Sequence, residues 1–215
     1  MMAMTAADIR DRLIAQRVIP VLRLGSAESA AHAVDCLMQA GYSAIEITLT
    51  VPGAVMLIED LTRRMGTSCL VGAGTVLDLI AARQCIEAGA KFLVSPCLVP
   101  GMTTMAHAAG CASLPGGYTP GEVLAAHREG ADIVKIFPAT SGGPEHLRAI
   151  HAVFPHIALC PTGGVSLQNI DAYFAAGAAL VGVGNNIIDQ QALDAGDPAR
   201  ATAHARRFLE RGQEP

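Results

Sequence analysis

A recurring glycine constrains this chain more than any other feature. Ala40-Gly41, Gly66, Ala88-Gly89, Ala109-Gly110, Glu129-Gly130 and Ala176-Gly177 each close a stretch of helical character, and a short apolar run follows each within a few residues. Glycine ends helices because it takes the left-handed backbone without steric cost. The spacing, about 20–25 residues, is one compact helix–loop–strand unit. Apolar runs over 18–24, 43–49, 69–73, 91–94, 111–114, 131–139, 157–160 and 180–183 supply eight strands. Strands alternating with helices imply a parallel sheet. The expected fold is α/β, a (β/α)8 TIM barrel in one domain over 1–215, with an extra helix over 5–17 ahead of the first strand. A doubly wound open sheet is the alternative, but no G-x-G-x-x-G follows the first strand.

Local signals fix several helix ends. Ser26 caps a helix over 27–40, and Thr119-Pro120-Gly121-Glu122 has the form of a capping box with proline at its first position. Pro52 opens a helix to 65, Pro144 one to about 153, and Ser166 caps one that ends at Gly177.

Composition narrows the function. Hydrophobic residues are 51% and charged residues 16% of the chain, which excludes disorder and suggests that some surface is covered in an oligomer. With a net charge of −4 and no basic run, nucleic acid is not an expected partner. The six cysteines form no C-x-x-C pair and read as small buried hydrophobes in a reducing cytoplasm. Asp8, Arg10, Asp11 and Arg12 speak against a secretory leader, and no apolar run reaches the roughly 20 residues of a membrane span.

One charged residue breaks the interior pattern. Lys135 lies within Ala131-Asp132-Ile133-Val134-Lys135-Ile136-Phe137-Pro138, on the same strand face as Ile133 and Phe137. Two readings are open. A lysine near a strand end can snorkel to water. A lysine held inside a barrel has its charged form disfavoured, and its amine can attack a carbonyl to form a Schiff base. Strand alternation puts Glu46 in the interior with Thr48, while Ile45, Ile47 and Leu49 face outward. A carboxylate there is either a structural partner for a buried cation or a proton shuttle for the amine. Two ionisable groups on separate interior strands favour catalysis.

Other candidates sit where barrel strands end. Thr162-Gly163-Gly164 and Gly184-Asn185 follow the seventh and eighth strands, the common phosphate position of such barrels, and the helix after Ser166 could direct N–H groups at an anion. Arg23 ends the first strand and is either a carboxylate clamp or an ordinary exposed arginine. Thr75 either bonds a substrate oxygen or caps the next helix. None of the seven histidines falls at a strand end, so no metal is expected; His146 and His151 read as solvated.

The runs Glu46-Ile47-Thr48-Leu49, Gly72-Ala73-Gly74-Thr75-Val76, Lys135-Ile136-Phe137-Pro138 and Pro161-Thr162-Gly163-Gly164 resemble those of the 2-keto-3-deoxy-6-phosphogluconate (KDPG) aldolases. That family includes 4-hydroxy-2-oxoglutarate (KHG) aldolase and a phosphogalactonate branch. The resemblance covers nearly the whole chain, in order and at family spacing. It implies a metal-free, cofactor-free class I aldolase of the cytoplasm, usually a homotrimer. Its substrates would be pyruvate and a phosphorylated keto-sugar acid, in carbohydrate metabolism such as the Entner–Doudoroff pathway. By position it makes Lys135 the Schiff-base lysine, Glu46 the acid/base and Thr75 a holder of the pyruvate carboxylate. It assigns Gly163, Gly164, Gly184 and Asn185 to the phosphate loops, and Phe137 and Pro96 to the pocket lining. Many phosphogluconate aldolases carry arginine where this chain has Thr50; the phosphogalactonate branch lacks it and has arginine where this chain has Arg23. Thr162 resembles the phosphogluconate branch. The same fold could also serve an epimerase or isomerase with Glu46 as base, or a non-catalytic phosphometabolite binder.

Overall fold

The computed structural model describes residues 4–214. The strands are β1 (Val18–Leu22), β2 (Ala44–Thr48), β3 (Leu70–Gly74), β4 (Phe92–Val94), β5 (Ala112–Leu114), β6 (Gly116–Gly117), β7 (Val134–Ile136), β8 (Leu159–Pro161) and β9 (Val181–Val183). The helices are α1 (Ala6–Gln16), α2 (Ala27–Ala40), α3 (Ala54–Met65), α4 (Leu79–Glu87), α5 (Met102–Ala108), α6 (Pro120–Arg128), α7 (Gly143–Val153), α8 (Ile170–Ala175), α9 (Gln190–Asp194) and α10 (Pro198–Gln213).

All strand pairs are parallel, in the orders β5-β4-β3-β2-β1-β9 and β6-β7-β8. β5 and β6 are two halves of one strand divided at Pro115. Proline has no N–H for a ladder, and here the strand changes neighbour: Ser95 donates to Leu114 O on one side, and Lys135 donates to Pro115 O on the other, at 3.2 and 3.0 Å. The Thr162–Gly182 bridge and the bond from Ala179 N to Leu159 O, 3.0 Å, join β8 to β9 and close the ring. The result is the eight-stranded barrel that the glycine repeat implies.

Alternation along each strand divides the core in two. Outward residues such as Ile45, Ile47, Val71, Val134 and Val181 pack beneath the helices. Inward residues Ile19, Ala44, Leu70, Phe92, Ile133 and Leu180 fill the barrel with Ile9 and Leu13 of α1. The extra helix therefore plugs the N-terminal end. Gln16 secures it, donating to Val18 O and Ala44 O at 2.9 and 2.8 Å and accepting from Ser43 N at 2.7 Å.

Two helix expectations need correction. α3 begins at Ala54, after a Thr48–Val51 turn, so Pro52 precedes it. α8 begins at Ile170 with Asn169 at its cap, three residues beyond the expected cap at Ser166, because Asn169 accepts from Ser166 N at 2.8 Å and holds 166–169 as a turn. α9 and the 3-10 turns Ala139–Ser141 and Asn185–Ile187 had no sequence signal strong enough to predict them.

Candidate active site

Lys135 and Glu46 both point into the barrel and are 6% and 3% exposed, so the snorkelling alternative for the lysine fails. The Lys135 amine lies 5.2 Å from the centre of the Phe137 ring. The seven ion pairs of the described residues, all within 4.0 Å, do not include Lys135 with Glu46. Glu46 Oε1 is buried with no hydrogen-bond partner, an arrangement that is costly unless a ligand or water completes it. Burial holds the Glu46 carboxyl above its ordinary value, and the charges of Lys135 and Arg23 oppose that shift without cancelling it. In the β7–β8 ladder Lys135 faces Cys160, whose thiol burial pushes up to about 12. That neighbour stays protonated and uncharged at neutral pH.

The ends of β1, β2 and β3 surround Glu46. Arg23 follows β1 and is exposed; it shares a cavity of about 270 Å³ with Gly25, Gly184, Asn185 and Gln190. It thus stands between the carboxylate and the glycine loops. Thr75 has φ 59°, a left-handed backbone that a β-branched residue rarely adopts. It is not a helix cap: Asp78 caps α4, accepting from Ala81 N at 2.8 Å. Thr75 directly follows β3, on strained backbone of the kind found at functional sites.

Opposite, Phe137 and Pro96 are both half-buried. The Phe137 ring lies 3.7 Å from where a Cβ on Gly163 would stand, and Gly116 packs directly on the Pro96 carbonyl. Thr162 is inward and 6% exposed, its Oγ1 near Cys160 Sγ at 3.8 Å and seated over Gly182.

The two glycine loops are tied together. Gly163 and Gly164 have φ 99° and 73°. Asn169 Nδ2 donates to Gly164 O at 2.9 Å, Asn186 Nδ2 donates to Val165 O at 3.0 Å, and His204 Nε2 donates to Asn186 O at 2.8 Å. The backbone N–H groups of Gly163, Gly164, Gly184 and Asn185 have no acceptor among the described residues. Because α8 begins at Ile170, the loops present these amides and no helix N-terminus at Ser166. Asn169 escapes the sequence analysis, whereas Asn186 is expected as a polar residue after the eighth strand. The Ser166-to-Asn169 spacing is an Asx-turn signal that could have found the first.

The histidine and cysteine expectations change in part. His146 is not solvated: it stacks on Tyr118 at 4.2 Å and donates to the Tyr118 carbonyl at 2.8 Å. His151 packs over Gly177. Cys97 is exposed, unlike the other five cysteines. Among the described residues no three His, Cys, Asp or Glu side chains are grouped to hold a metal ion, and no helix is long and apolar enough to cross a membrane.

A family model described as KDPG and KHG aldolase matches residues 9–204. The chain belongs to the KDPG and KHG aldolase family. It is a carbon–carbon lyase of the class I aldolase type. The chain is 36% identical over 181 residues to a probable 2-dehydro-3-deoxy-6-phosphogalactonate aldolase of Rhizobium meliloti, covering 84% of this chain and 85% of the relative. It is 34% identical over 196 residues to the 2-dehydro-3-deoxy-phosphogluconate aldolase of Pseudomonas aeruginosa, covering 91% and 89%. The crystal structure of the KDPG aldolase of Legionella pneumophila, with pyruvate captured as a covalent carbinolamine, superposes with a TM-score of 0.83 at 28% identity, over 94% of this chain and 96% of that one.

Proposed function

We propose that this aldolase reversibly cleaves 2-keto-3-deoxy-6-phosphogluconate to pyruvate and glyceraldehyde 3-phosphate, with Lys135 as the Schiff-base lysine and Glu46 as the proton shuttle. The observation that carries the reading is the buried Glu46 oxygen without a partner, in a barrel interior it shares with Lys135 but without an ion pair between them. In this reading one small keto acid meets both groups and supplies the partner that the Glu46 oxygen lacks. The amine adds to C2 of the substrate, and loss of water gives the protonated imine. Glu46 takes the proton of the C4 hydroxyl as the C3–C4 bond breaks, and the bonding pair moves into the imine to give an enamine. The aldehyde leaves. Glu46 returns its proton to C3, and water releases pyruvate from Lys135. The imine is the electron sink, so the step needs no organic cofactor.

Arg23 and Thr75 are the proposed carboxylate holders, and Thr162 and the loops at Gly163, Gly164, Gly184 and Asn185 the proposed holders of the phosphate-bearing half. Pro96 and Phe137 line the space between. The test is borohydride reduction in the presence of pyruvate: a mass adduct on Lys135, absent in Lys135→Ala, is expected. Activity retained in Lys135→Ala would sink the reading and leave an epimerase or a binding protein on the same fold.

Arg23 together with Thr50 favours a second reading, the C4 epimer of the galactonate series, whereas Thr162 favours the gluconate series. Cleavage rates on both epimers, and on 4-hydroxy-2-oxoglutarate, decide between them. A homotrimer is the proposed assembly; the exposed apolar side chains of Met56 on α3, Leu77 ahead of α4 and Ile80 on α4 support burial against another copy. Six free cysteines suit a reducing cytoplasm.

A further inference from the structure

Thr48 is wholly buried on the interior face of β2, two residues beyond Glu46. Its Oγ1 is 2.9 Å from Leu22 O and 2.7 Å from Thr50 Oγ1. A carbonyl only accepts, so the single proton of Thr48 goes to Leu22. Thr50 must then donate to Thr48. The result is a one-way chain from the Thr50 hydroxyl to the Thr48 hydroxyl to the Leu22 carbonyl. It commits the Thr50 proton, so toward any further partner Thr50 can only accept.

The chain lies at the end of a short ladder. β1 and β2 are in register only at Val21–Glu46 and Leu22–Ile47. One step further, Arg23 stands opposite Thr48. Arg23 has no ion pair among the described residues, yet its charge acts on Glu46. The Thr48 bond to Leu22 O ties down the residue before Arg23, beyond the last ladder pair of β1 with β2.

We infer that Thr48 is a positioning residue, whose hydroxyl pins the end of β1, and with it the start of the Arg23 side chain, and presents Thr50 as an acceptor. The inference rests on the functional reading above, in which Arg23 binds the keto-acid carboxylate. Thr48 touches no substrate in this scheme; it acts through Arg23 and Thr50. The charged and titratable groups that face Glu46 are Arg23 beyond β1, Lys135 on β7 and the Cys160 thiol on β8. Only the first hangs on this chain.

The experiment follows exchange of the pyruvate methyl protons with D2O by NMR, using wild type, Thr48→Val, Thr48→Ser, Arg23→Gln and the Thr48→Val/Arg23→Gln double variant. Valine keeps the shape of threonine and removes the hydroxyl. Thr48→Val is expected to raise KM for pyruvate about tenfold and to change kcat by less than about twofold, the pattern of lost ground-state binding. The acid limb of its pH profile is expected to move to higher pH, because a displaced Arg23 opposes the effect of burial on Glu46 less. Thr48→Ser keeps the hydroxyl and should restore both properties. In the Arg23→Gln background the valine change should add less than about twofold to KM. A Thr48→Val enzyme with unchanged KM and profile, or one whose effect adds in full to that of Arg23→Gln, overturns the inference. A Thr48→Val protein that fails to fold passes the decision to serine, where an uncorrected KM overturns it equally. Wild-type protein that neither exchanges pyruvate protons nor is trapped by borohydride overturns the functional reading itself.

Discussion

The Glu46 carboxylate occupies the space over Gly74 that a Cβ at that residue would fill. In the β2–β3 ladder Gly74 faces Thr48, and Glu46 faces Gly72, so the glutamate leans along the barrel toward the C-terminal mouth. The lack of a side chain at Gly74 is what allows this. Gly74→Ala is therefore expected to drive Glu46 off its position and lower kcat for aldol cleavage about 100-fold. Pyruvate should still be trapped on Lys135, at a reduced rate. Steady-state cleavage beside intact mass after borohydride checks this; full activity in the alanine variant would mean that Glu46 does not move protons from where it lies.

Burial raises the Glu46 pKa above that of an unfolded glutamate, and the sign of the stability effect follows from linkage. Below the unfolded value, roughly 4.3, the group is protonated in both states and costs nothing. As pH rises through the folded value, the unfolded chain gains from ionisation first and stability is lost. Glu46→Gln cannot ionise and escapes this loss. It should melt at nearly the wild-type temperature at pH 4 and about 2–4 °C higher at pH 8, while having no cleavage activity. Thermal melts at the two pH values give the comparison. A gap that does not change with pH would refute the account of Glu46.

Much of this site was legible in the chain because it depends on parity and punctuation. Glu46 and Thr48 share a face that Ile45 and Ile47 do not, and a lysine two residues from Ile133 and Phe137 must share theirs. The glycines that end α2, α5 and α6 marked the barrel repeat by a local backbone demand. What escaped depends on contacts between residues far apart or on competing local bonds. Ser166 looks like a cap until Asn169 takes its amide. His146 looks solvated until Tyr118, 28 residues away, supplies a ring and a carbonyl. The clearance at Gly74 and the Thr50–Thr48–Leu22 bonds exist only once β1, β2 and β3 are in register.

Thr75 carries a backbone cost that glycine would not. Left-handed φ costs an L-residue roughly 1–2 kcal/mol, while glycine costs about 0.5–1 kcal/mol in chain entropy. Thr75→Gly is thus expected to leave thermal stability unchanged or slightly raised. It removes the hydroxyl that follows β3, and KM for pyruvate should rise about tenfold. A melt together with the D2O exchange assay reads both. Lower stability with unaltered KM would make Thr75 a structural residue only.

Gly164 combines two constraints, φ 73° and a missing Cβ whose place is taken by Thr140 Cγ2. Alanine there is strained by backbone and by contact together, and the neighbouring amides of Gly163 and Gly164 turn with the peptide planes. Those amides have no acceptor in the protein among the described residues, so the damage should fall on an anion bound at the loop and not on the amine chemistry of the neighbouring strand β7. Gly164→Ala is expected to raise KM for the 6-phosphorylated substrate about tenfold and to leave KM for unphosphorylated 4-hydroxy-2-oxoglutarate within about twofold. Cleavage kinetics on the two substrates separate the effects. An equal rise for both would show that the loop shapes the whole barrel mouth and holds no phosphate of its own.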